Sequence, residues 1–144
     1  MTRDSIAPFG RRVRLLAATL AVVATGTALR LVPLGLPPVF VKYGGSILWG
    51  AMVYGLAAAL LLGPRRRIVG LAACVALAVE LVRLVHTPGL DAFRLTLAGQ
   101  LLLGRIFSVW NLAAYAAGIA GAALVDSRRR RGPAQGAPSG SQRR

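Results

Sequence analysis

Acidic residues are scarce in this chain. Four aspartates and glutamates face 18 arginines and lysines, for a net charge of +14 across 144 residues. A single cysteine, Cys74, excludes an intrachain disulfide and any cysteine-based zinc site. One histidine, His86, with Glu80 and Asp91 as its nearest acids, is too few ligands at unsuitable spacing for zinc, so no metal is expected. Phosphate-binding glycine loops, a Ser-His-Asp set and a helical His-Glu-x-x-His are also missing, and no cofactor is expected. Lysine is almost absent. Arginine outnumbers it 17 to 1 in an Ala- and Gly-rich chain, a composition that suits a GC-rich bacterial genome.

Apolar residues are what the chain has instead. They make up 56%, with a mean hydropathy of +0.62, too apolar for a soluble domain of this size. Four windows approach or reach the roughly 17–25 residues needed to cross a bilayer: 13–32, 46–63, 68–86 and 107–125. The first is longer than a signal-peptide core and three similar windows follow, so it reads as a retained helix. Pro33, Gly35, Pro37 and Pro38 break the chain into a loop over 34–45. Gly50, Gly55 and Ala59 offer small faces in the second window, and Ala114, Gly118 and Ala122 form a small-xxx-small seam in the last. Residues 92–103, with Asp91 as N-cap, are too short to cross and predict an interfacial or re-entrant helix. The expected fold is therefore all-α: an integral membrane four-helix bundle with one short helix before the last span. Residues 1–12 read as a cytoplasmic segment, 13–126 as the membrane domain and 127–144 as a basic disordered tail.

The cations sit between and beyond the apolar windows, which fits membrane topology better than nucleic-acid binding. The N-terminus, the Arg65-Arg66-Arg67 turn and the tail hold 13 of them; the alternate loops hold five. The positive-inside rule then puts both termini in the cytoplasm of a bacterial inner membrane.

One stretch interrupts the hydrocarbon. Between Val79 and Asn111 stand Glu80, Arg83, His86, Asp91, Arg94, Thr96, Gln100, Arg105 and Asn111, which this topology places at the outer leaflet. A carboxylate in a span is costly unless neutralised, and Arg83 shares the face of Glu80 one turn on. That pair can serve packing alone, or Glu80 can handle a proton or a ligand. Arg83, near the helix end, is expected to be able to snorkel outward. His86 reads as an interfacial residue, and Asp91 as a cap paired with Arg94. Arg94 and Arg105, with Arg30, Lys42 and neighbouring Tyr43, form an outer group of cations able to meet an anionic headgroup or phosphate. Tyrosines deep in the spans, such as Tyr115, are expected to hydrogen-bond across helices.

The order Leu36-Pro37, Phe40-Val41-Lys42-Tyr43, Leu48-Trp49, Met52-Val53-Tyr54, Val79-Glu80, Leu90-Asp91, Arg94, Leu103-Gly104, Phe107, Leu112, Tyr115 and Gly118 resembles a family of small bacterial membrane proteins called domain of unknown function 2809. The resemblance covers about residues 31–126 and implies four membrane helices with no established activity. In that pattern Arg83 stands where a small or amide residue is usual, and Asn111 where an aspartate is common. The layout is also distantly similar to VanZ-type envelope proteins. The expected role is a non-catalytic envelope protein that binds a lipid, a small anionic ligand or a partner span, itself a membrane protein or a second copy. An enzyme acting on a lipid-linked substrate, with Glu80 or Asp91 as acid/base, is the alternative.

Overall fold

A computed structural model describes residues 6–61, 63–103 and 107–130, with side chains over 9–128 of these. Among the described residues the chain forms six helices and no strand. They are α1 (Ile6–Leu31), α2 (Pro38–Leu61), α3 (Arg65–Val82), α4 (Pro88–Leu95), α5 (Leu97–Leu102) and α6 (Val109–Arg130). Three of them, α1, α2 and α6, are long and apolar enough to cross a membrane.

Helix α2 is the hub. It packs against α1, α3 and α6, and α3 also packs against α6. Its central stretch is small as well as apolar, with Gly50, Gly55, Ala57, Ala58 and Ala59 all buried, so three neighbours can approach it closely. The expected small-residue seam on α6 is where the two backbones meet. A Cβ on Gly118 would run into the backbone of Ile47 and Ala51, and one on Gly50 into that of Tyr115. Contacts between Ser46 and Asn111 and between Tyr54 and Asp126 show that α2 and α6 run parallel.

On α3, Ile68, Ala72, Ala76 and Glu80 recur every fourth residue and are 0–4% exposed. That spacing keeps them on one face of a helix. An apolar seam thus ends in a carboxylate. Helix α1 is different: only 6% of its apolar window is buried. Leu16, Leu20, Val23 and Leu31 stay exposed, an arrangement that suits contact with lipid chains.

Several boundaries depart from the sequence reading. Helix α1 begins at Ile6, inside the segment assigned to a cytoplasmic arm, because nothing from Ile6 to Arg14 blocks a helix once Pro8 occupies its first turn. Helix α2 begins at Pro38, eight residues early, with proline at its first position; the turn before it uses Gly35 at φ +66°. Helix α3 stops at Val82 rather than residue 86, so Glu80 lies two residues from the helix end instead of six. The single short helix of 92–103 is two helices. Thr87 caps the first by accepting Leu90 N–H at 3.3 Å, and Thr96 caps the second by accepting Gly99 N–H at 3.0 Å. Asp91 therefore lies inside the first turn of α4 and is not its cap. Helix α6 continues to Arg130, into the segment read as tail; residues 131–144 lie outside the described residues.

Candidate polar site at the end of the bundle

Glu80 is fully buried, and both its carboxylate oxygens are engaged. One accepts from the Arg83 guanidinium in an i,i+3 ion pair; the other accepts from the Ser108 backbone N–H at 3.2 Å. Ser108 directly precedes α6, so the carboxylate meets the positive end of that helix dipole as well as a cation. This double neutralisation is what makes a buried anion tolerable there.

Arg83 is the C-cap of α3 and only 7% exposed. It does not snorkel. Its Nε donates to the Leu103 carbonyl at the end of α5, and its Nη2 donates to the Tyr115 hydroxyl at 2.9 Å. The Tyr115 ring lies against Trp49 of α2, centroids 4.7 Å apart. Asn111, buried one turn before Tyr115, accepts from Ser46 of α2 at 3.4 Å. Four helices are thus tied together through one polar cluster.

Two further arginines, Arg94 and Arg30, also reach backbone carbonyls. Arg94, 3% exposed, donates to Val82 O at 2.6 Å and Val85 O at 3.0 Å, closing the C-terminal end of α3, and it pairs with Asp91 at 2.8 Å. Carbonyls at a helix end lack intrahelical partners and carry partial negative charge, so an arginine satisfies both needs. Arg30 donates to Gln100 O at 2.9 Å, bridging the end of α1 to α5. The side chain of Gln100 turns back to Leu95 O, 3.1 Å away.

The remaining candidates are peripheral. His86 is exposed with one ring nitrogen 3.2 Å from Leu84 O. Lys42 is exposed, its Nζ 5.2 Å from the centre of the half-buried Tyr43 ring. Arg105 and Gly104 lie outside the described residues. Among the described residues no three His, Cys, Asp or Glu side chains converge as metal ligands.

Sequence reading missed a second polar cluster at the opposite end. Asp126, 8% exposed, accepts from Tyr54 at 3.1 Å and from Arg11 at 3.3 Å. This joins α1, α2 and α6 near the basic N-terminal part of α1 and the charged C-terminal part of α6. The only hint in the sequence is that Asp126 closes an apolar window; its partners stand 72 and 115 residues away. Ser108 and Ser46 were missed for the same reason. Their role lies in what another helix brings to them.

Three helices long and apolar enough to cross a membrane, in an all-helical chain, define a protein of the membrane class. The family described as protein of unknown function (DUF2809) matches residues 35–119, more than half of the chain, and the chain belongs to that family. The matched segment starts at the loop before α2 and ends within α6, so it includes the whole Glu80–Arg83 cluster. No curated protein and no solved structure matches the chain. The VanZ-type likeness gains nothing from these comparisons.

Proposed function

We propose that this is a four-span, non-catalytic protein of a bacterial cytoplasmic membrane, with both termini in the cytoplasm, that holds an anionic ligand at its outer-leaflet end. The fourth span is α3. If the parallel helices α2 and α6 both cross, the chain between them must return through the bilayer, and among the described residues α3 is the only element between them with the length to do so. Its 18 residues span about 27 Å, close to the hydrocarbon thickness, and the turn after Val82 adds to that. Its charged residues, Arg65, Arg66, Arg67 and Glu80, lie towards its two ends and leave an apolar stretch from Ile68 to Val79 between them.

The observation that carries the non-catalytic reading is the saturation of Glu80. A general acid or base needs an oxygen within reach of a substrate proton, and here both oxygens are taken and the side chain is closed off. Asp91, the other candidate acid, is held by Arg94. The cluster reads as a rigid frame that fixes the ends of α3, α5 and α6. Cations at the rim, Arg30 and Lys42, remain to meet a ligand.

Topology tests this reading. In a Cys74→Ser background, Gly35→Cys should react with an impermeant maleimide from outside the cell and Arg128→Cys only after the membrane is opened. Labelling of position 128 in intact cells contradicts the proposal.

A further inference from the structure

Two hollows meet beside α1 at the outer end. The first, of about 550 Å³, is lined by Arg30, Leu36, Val41, Lys42, Leu97 and Gln100. The second, of about 290 Å³, runs between α1 and α2 beneath α5 and is lined by Val22, Gly26, Leu48, Trp49, Met52 and Leu102. Arg30 and Leu101 line both, so they mark the junction. From Arg30 to Val22 the helix descends eight residues, about 12 Å toward the membrane centre at 1.5 Å per residue. The hollow is a half-open groove and not an enclosed cavity.

The polarity is graded along this path. Two cations and an amide stand among apolar side chains at the mouth; Val, Leu, Met, Gly and Trp49, with the single hydroxyl of Thr27, line the depth. An inorganic anion would use the mouth and leave the apolar hollow unfilled. A neutral hydrocarbon would use the hollow and leave two cations facing it. We infer that the occupant is a single anionic phospholipid of the outer leaflet. Its phosphate sits between Arg30 and Lys42, and the upper part of one acyl chain lies along α1 and α2 under α5. This rests on the four-span reading above, which puts the mouth at the outer headgroups.

The structure adds a reason for Arg30 to act here. Its guanidinium is held by Gln100 O at 2.9 Å while the residue stays exposed, so one face is fixed and the rest is open to a headgroup. A cation already immobilised loses less side-chain entropy when an anion arrives.

Native mass spectrometry of the full chain in neutral detergent tests the proposal. Phosphatidylglycerol, phosphatidylcholine of the same chains and soluble glycerol phosphate serve as probes. One phosphatidylglycerol per chain should be retained, at least about fivefold over phosphatidylcholine, and glycerol phosphate should not displace it. Lys42→Gln, an exposed change, should lower retention of the anionic lipid by about fivefold, the weight of one basic group at a charged headgroup. Ala98→Phe, filling the apolar hollow from the exposed face of α5, should lower retention of both lipids. Should that variant not fold, Lys42→Gln decides alone. Equal retention of the two lipids, displacement by glycerol phosphate, or an unchanged Lys42→Gln overturns the inference. Cytoplasmic labelling at position 35 would instead sink the topology it rests on, so the two failures are distinguishable.

Discussion

Arg83 and Tyr115 meet at 2.9 Å between the C-terminal end of α3 and the second turn of α6. The contact joins the charged half of the polar cluster to its aromatic half, since Arg83 holds Glu80 and Tyr115 lies on Trp49. Each of these side chains is buried or half-buried, and together they join α2, α3 and α6. In a membrane, where burial of apolar surface between helices gains little over contact with lipid, such polar ties and close backbone packing carry the association.

Close packing makes the first prediction. Gly118→Ala places a methyl group against the backbone of Ile47, which cannot rotate away as a side chain could. The loss should be about 1–3 kcal/mol, the usual range for overpacking. Gly70→Ala, on an exposed face of α3 with open space around it, is the control and should be neutral or gain up to about 1 kcal/mol in helix propensity. Unfolding in mixed micelles measures both.

The corner between α4 and α5 makes the second. A Cβ on Gly99 would strike the Phe93 carbonyl and the Arg94 backbone, so Gly99→Ala should lever α5 off α4. Thr96→Ala removes the cap of α5 and should cost about 1 kcal/mol. Because Gln100 O would move with α5, the Gly99 change should also loosen Arg30, seen as faster proteolysis of the 83–103 segment.

The opposite end makes the third. Asp126→Asn removes the charge that Arg11 pairs with, yet keeps an oxygen for Tyr54. Arg11 is 22% exposed at its side chain, so water can take over part of the loss, which should stay near about 1 kcal/mol. Helix α1 leans mainly on α2, so loosening this tie should speed labelling of Thr19→Cys, a buried position facing Gly55. The label should be unchanged in a Tyr43→Phe control at the far end.

How much of this was readable in advance depended on range. Local chemistry was legible: helical class, the polar stretch, the Glu80–Arg83 and Asp91–Arg94 pairs three residues apart, and the Gly118 seam. Boundaries were less so, because Pro38 was read as a breaker where it starts α2, and Thr87 was passed over as a cap in favour of Asp91. What could not be read were partners set by tertiary approach. Ser108 offers Glu80 a backbone N–H, which no side-chain pattern encodes. Arg94 and Arg30 spend donors on carbonyls of other helices, so cations that looked like a shared anion site divide into struts and rim.

The central claim is that Glu80 and Arg83 form a neutralised structural pair, not a reactive acid beside a cation. Unfolding free energies in mixed micelles for Glu80→Gln, Arg83→Gln and the double variant test it most directly. Each single change strands a buried charge and should cost about 3–5 kcal/mol, and Arg83, closed in at 7% exposed, has no easy route to water. The double variant should be milder than Glu80→Gln alone, and should fall short of the sum of the singles by at least about 1–3 kcal/mol. Losses that simply add, or a Glu80→Gln protein as stable as the parent, would contradict it.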